Sequence, residues 1–312
     1  MAKLLAALVG LAVLAACDAP APSVYGSSAP GGAVRVLVFT RTAGFRHSSI
    51  PAGVAALREL GAAGGFAVDG TEDGTMLNAG NLTRYRALVF LNTSGDVLDE
   101  ARQRDVEAYV RGGGGFVGVH AAADTENGWP FYGELVGAWF ASHPAIQPAR
   151  LRVVDRAHPA TAHLDAVWSR TDEWYNFRTN PRPAVHVLVT LDESSYQGGT
   201  MGADHPIAWC HPVGAGRAFY TGGGHTEESY AEPAFRAHLL GAIQYATGLA
   251  PANCVGPAGS LGHPDSGGTV GRATAGGTGA AVDGAGIAVA ERRVGAGSGP
   301  AGRVVAHAGC IN

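Results

Sequence analysis

Apolar and polar positions alternate in blocks along this chain. Val34–Phe39 is a near-continuous apolar, β-branched run, the pattern of a strand covered on both faces. After a polar loop, Pro51 marks a helix start, and Val54, Leu57 and Leu60 recur at the spacing of one buried face until Gly64 and Gly65 interrupt it. Phe66–Val68 and Ala87–Leu91 read as the next strands. Asp99–Arg111 reads as a helix with Val106 and Val110 inward and Gly112–Gly114 ending it, and Phe116–Val119 as a fourth strand. This rhythm predicts an α/β fold with a mostly parallel sheet covered on both faces. Beyond residue 150 the pattern loosens. Leu151–Val154 and Val185–Leu191 predict strands, and Ile207–Cys210 with Arg217–Thr221 a hairpin. Glu232–Thr247 predicts a closing helix with Phe235, Leu239 and Ile243 inward. The folded domain is expected over residues 33–249.

The two ends read differently. In residues 1–16, Lys3 precedes an apolar run, as in a secretory signal. The run closes on Leu14-Ala15-Ala16-Cys17, which looks like a bacterial lipobox with Cys17 as the lipidated residue; cleavage elsewhere as an ordinary signal is the alternative. Residues 17–32, rich in Pro, Ser, Gly and Ala, suit a flexible tether. The expectation is an extracytoplasmic lipoprotein held to the membrane by its lipid, in an oxidising setting. Glycine supplies 47 of 312 residues, and 16 of those fall in the 62 residues from Pro251 onward. Residues 250–312 therefore read as a Gly/Ala-rich tail, either disordered or a small module closed by a disulfide between Cys254 and Cys310. Cys210 reads as a buried small hydrophobe. The net charge of −4 with no basic run argues against a nucleic-acid partner.

Three histidines stand just past apolar strands: His47 after the first, His120 after the fourth and His225 after the last, each beside small residues. In open α/β sheets ligands bind beyond the carboxyl ends of the strands. A histidine there serves as acid, base or metal ligand, although a lone loop histidine is more often merely solvated. Asp124 is placed either to orient His120 or to cap the following helix. Asp172 and Glu173 sit among Trp174, Tyr175 and Phe177, a grouping that suits either a sugar-binding platform or a strand with Trp174 in the core.

Several of these segments together resemble the ThuA-like (trehalose utilisation) family over residues 33–249. They are Gly44-Phe45-Arg46-His47, the stretch from Gly115 to Asp124, Asp172–Tyr175, His205-Pro206-Ile207-Ala208-Trp209, and Gly223-Gly224-His225. The resemblance implies a flavodoxin-like, three-layer sandwich similar to class I glutamine amidotransferases. Those enzymes carry a nucleophilic cysteine on the turn where this chain has His120, so thioester chemistry is not expected. The resemblance further implies carbohydrate use, with oxidised (3-keto) disaccharides or glycosides as the substrate class. His120 would be base or ligand, His47 and His225 acid or ligands, and Glu173 an orienting carboxylate. Phe45, Arg46, Asp124, Trp174, Tyr175 and Trp209 would touch the sugar. A divalent metal on His47, His120 and His225 is one form of this chemistry and an unmetallated acid–base site the other. A lipid-anchored sugar-binding module without turnover is the alternative function.

Overall fold

The computed structural model describes residues 33–255. The expected signal, the Cys17 lipidation site, the tether and the tail with Cys310 lie outside the described residues. The elements run β1 (Val34–Phe39), α1 (Ile50–Gly64), β2 (Phe66–Thr71), α2 (Ala79–Leu82), β3 (Ala87–Leu91), α3 (Glu100–Arg111), β4 (Gly115–Val119) and α4 (Pro130–Val136). They continue β5 (Phe140–Ser142), β6 (Gln147–Val153), β7 (Val167–Asp172), β8 (Asn176–Phe177), β9 (His186–Leu191), β10 (His205–Val213), β11 (Gly216–Thr221) and α5 (Pro233–Thr247). Local chemistry sets several of these ends. Asp99 caps α3 by accepting from the Arg102 amide, and α1 and α5 each carry proline in the first turn, where its missing N–H costs nothing.

The main sheet has nine strands in the order β2-β1-β3-β4-β11-β10-β9-β6-β7. The first five are mutually parallel, in the 2-1-3-4-5 order of doubly wound sheets. The other four continue as antiparallel neighbours, so the sheet is mixed rather than mostly parallel. The reason is visible in β6 and β7. Ala149 and Leu151 are buried while Arg150 and Arg152 face water, and Trp168, Arg170 and Asp172 are buried between exposed Val167, Ser169 and Thr171. This two-residue alternation belongs to an antiparallel strand with one wet face. α1 packs on α5, and α2 on α3. Right-handed crossovers put these two pairs on opposite faces of the parallel half.

The expected Cys254–Cys310 pairing is corrected. Cys254 is bonded to Cys210 on β10, with their Cα atoms 5.5 Å apart. The chain leaving α5 returns over the sheet and brings Cys254 within the ordinary disulfide span, a proximity that spacing in sequence does not reveal. Cys210 is buried as expected, but as half of a disulfide rather than as a free thiol.

Candidate active site

The carboxyl ends of β1, β3, β4 and β11 converge on one point, and their loops are tied together there. Asn92, just past β3, has a left-handed backbone, with φ 51°. Its Nδ2 donates to Ser49 Oγ and to the Gly224 carbonyl, both at 3.1 Å, joining the β1 and β11 loops. The β1 loop is held again where the Ala43 and Gly44 amides donate to the Ser94 carbonyl and Ser94 Oγ to the Phe45 carbonyl. His120 follows β4 directly, also with positive φ (49°), and opens the short helical turn His120–Asp124. A strained residue on a strand-to-turn junction projects its side chain at the sheet's carboxyl edge, and such strain concentrates at functional sites. The β11 loop needs its glycines. Gly224 has φ 110°, and a Cβ on Gly223 would stand 2.5 Å from Arg170 Nη1.

Buried Asp172 organises that loop. Its carboxylate accepts from the Gly224 and His225 amides at 2.8 and 3.0 Å, and from the Glu173 amide at 2.9 Å. Burial pushes its carboxyl up, but Arg170, His120 and the Gly224 and Glu173 amides together outweigh this and the net shift is downward. One carboxylate thus positions both His225 and Glu173.

The side chains meet as a cluster. His120 Nε2 lies 3.1 Å from His225 Nδ1 and 3.4 Å from Glu173 Oε2, and His225 Nδ1 lies 3.1 Å from the same oxygen. His47 completes the group, and one ligand atom from each of the four residues lies within 4.8 Å of the others. The three imidazoles stand edge to face, with ring centroids 4.9, 4.9 and 5.1 Å apart. His120 Nδ1 is 2.8 Å from the Gly222 carbonyl, which only accepts, so Nδ1 carries the hydrogen. The second Glu173 oxygen lies 3.0 Å from His143 Nδ1. Burial, then His120 and His225, push His47 down to about 3, which keeps it neutral at physiological pH. Burial pushes Glu173 up, but the neighbouring His120 and His225 together outweigh this and hold it ionised.

A cavity of about 190 Å³ opens above this cluster. Phe45, His47, Asp124, Glu173, Tyr175 and His225 line it, and so do Ser94, Ala121, Phe140 and His143. His120 does not: it lies beneath the cavity, fully buried, with Tyr175 against its ring at a centroid distance of 4.1 Å. Three expected sugar contacts are corrected. Trp174 and Trp209 are fully buried, their indole N–H groups donating to the Gln147 and Val136 carbonyls, because both face the packed interior of the sheet. Arg46 points away from the cavity and pairs with Glu72 on the surface. Asp124 does not orient His120; its carboxylate accepts from Asn127 Nδ2 and otherwise faces the cavity. His143 and Phe140 went unseen in the sequence because the three-residue strand β5 carries no periodicity to place them. Among the described residues both cysteines are in the disulfide, so no thiol reaches the cavity.

The profile of the ThuA (trehalose utilisation) family matches residues 35–246. Among solved structures, a ThuA-like protein from Bacteroides uniformis is 25% identical, with a TM-score of 0.59 over 74% of this chain and 94% of its own. A ThuA-like protein from Parabacteroides merdae is 20% identical, with a TM-score of 0.58 over 69% of this chain and 90% of its own, a likeness of fold. No curated protein matches the chain.

Proposed function

The chain belongs to the ThuA (trehalose utilisation) family, and from this premise we infer that it is an enzyme acting on oxidised glycosides outside the cytoplasm. The observation that carries the reading is the cavity itself. Its floor is a histidine–glutamate cluster at the carboxyl edge of the parallel strands, and its wall is Phe45, Phe140 and Tyr175. Aromatic faces suit the C–H faces of a pyranose ring. At about 190 Å³ the cavity falls below the usual range of roughly 300–1,000 Å³ for drug-sized ligands. It suits one sugar ring inside, with the remainder of a disaccharide at the mouth beside Phe45.

A keto group at C3 of such a ring acidifies the C2 hydrogen. A base removes that proton, the C1–O glycosidic bond breaks, and the leaving oxygen takes a proton from an acid as a C1–C2 double bond forms. Addition of water across that bond completes a net hydrolysis. Proton transfer falls to groups that face the cavity, His225, His143 and Asp124, rather than to enclosed His120. The location rests on the lipobox ending in Cys17, and the Cys210–Cys254 disulfide supports an oxidising compartment. Palmitate labelling of the full chain that is lost in Cys17→Ser checks the anchor. For the substrate, the melting temperature is followed with trehalose and with 3-ketotrehalose. The reading expects a saturable rise with the keto sugar, and no shift with either sugar would remove it.

A further inference from the structure

We propose that His47, His120, His225 and Glu173 form a site for one divalent first-row metal ion. The proposal deepens the reading above and depends on it only for what the ion acts upon.

The spacing is that of ligands around a common centre. Atoms held about 2.1 Å from one ion stand roughly 3.0–3.4 Å apart at octahedral to tetrahedral angles. His120 Nε2, His225 Nδ1 and Glu173 Oε2 form a triangle with sides of 3.1, 3.1 and 3.4 Å. The outer atoms of two members are already engaged. His120 Nδ1–H donates to the Gly222 carbonyl, and the other Glu173 oxygen lies 3.0 Å from His143 Nδ1. Carbonyl and side-chain partners of this kind fix the tautomer and orientation of metal ligands.

Without a cation the inner arrangement is poor. With its hydrogen on Nδ1, a neutral His120 presents the Nε2 lone pair, and 3.4 Å away lies a carboxylate oxygen that also only accepts. His225 Nδ1–H has a single hydrogen for two acceptors at 3.1 Å. His47 is 5% exposed, and its Nδ1 is buried with no hydrogen-bond partner. Buried polar atoms without partners are uncommon and call for an explanation. A cation inside the cluster satisfies the facing acceptors of His120 and Glu173 together.

The donor set selects the class of ion. Three imidazoles and one carboxylate suit zinc, manganese, iron, cobalt or nickel, whereas calcium and magnesium take oxygen ligands. Such an ion supplies Lewis acidity toward a keto or hydroxyl oxygen. With His225 engaged as a ligand, His143 and Asp124 remain as the cavity-facing groups that move protons.

The test titrates the full, untagged chain, stripped with chelator, with Zn²⁺ by calorimetry and with Co²⁺ by visible absorption, no sugar present. One equivalent should bind, with Co²⁺ bands of a nitrogen–oxygen site. Glu173→Gln and His225→Gln preserve shape, and each should weaken binding by more than the roughly 10–100-fold typical of losing an outer partner. Exposed His163→Gln should change nothing, and circular dichroism establishes that each variant is folded. A folded parent that binds no Zn²⁺, Co²⁺ or Mn²⁺ overturns the proposal, as does binding that both cluster variants leave intact. Because no sugar is present, that failure leaves the carbohydrate reading standing, and a missing sugar-induced shift in a metal-loaded chain would remove that reading alone.

Discussion

Arg170 and Asp172, alternate residues on the inward face of β7, form a buried ion pair with Nη1 2.7 Å from Oδ2. Arg170 is fixed in turn by Glu232 and Ser229, and Asp172 by the amides of the His225 loop. The pair is therefore a brace between the edge half of the sheet and the candidate site. Asp172→Asn keeps the shape but leaves a buried guanidinium short of its partner, and breaking such a pair costs about 3–5 kcal/mol. Urea unfolding should show a loss of that order, and hydrogen exchange should show faster opening of residues 222–226. An unchanged unfolding midpoint would mean the brace carries no load.

The aromatic residues should separate into two groups. Trp209 is fully buried, and Trp209→Ala should cost about 3–5 kcal/mol of stability. Phe45 is 67% exposed at the cavity mouth, so Phe45→Ala should shift stability by no more than about 0.5 kcal/mol while weakening the keto-sugar response. Paired melts with and without 3-ketotrehalose distinguish the two. Equal destabilisation by both changes would contradict the assignment of Phe45 to the ligand.

Stability should fall in weak acid because of buried histidines: His47 in the site and two outside it. Burial pushes His158 down to about 4 and His238 to about 3, and each leaves Nε2 buried without a partner. Their folded pKa values lie below the unfolded value near 6.5, so the unfolded chain binds more protons between. Their contribution is complete above pH 6.5 and is lost as pH falls toward 4, with a slope approaching about 2.7 kcal/mol per pH unit when both are engaged. Urea midpoints between pH 7.5 and 4.5 measure it, and His238→Leu should lower the slope by about 1.4 kcal/mol per pH unit. A slope unaffected by that change would assign the acid sensitivity to other groups.

The disulfide joins residues 44 apart. Its loss should lower stability by about 2–4 kcal/mol. Cys254→Ser should reproduce the effect of a reductant, and Cys310→Ser should not. A melting temperature that reductant leaves unchanged would contradict the pairing.

Much of this was legible in the sequence, and the rest was hidden for identifiable reasons. β1, β3, β4 and β11 announce themselves as apolar runs, and the loops bearing His47, His120 and His225 follow from them. β7 was missed because two of its inward residues are Arg170 and Asp172, which satisfy each other by pairing rather than by being apolar. His143 was missed because it follows a strand too short to show a period. Trp174 and Trp209 were expected at the sugar because an aromatic beside a carboxylate reads alike whether it faces a ligand or the core. Only the direction of the side chain decides, and a strand reverses that direction at every residue.

The central claim is that the cavity promotes loss of a glycosidic group by removing the C2 proton of a keto sugar. The most direct measurement incubates the full chain with 3-ketotrehalose in deuterium oxide and reads the released keto sugar by NMR. Deuterium at C2, well above both an enzyme-free control and free product incubated with the chain, is the predicted result. Release of sugar with the C2 hydrogen fully retained would contradict it.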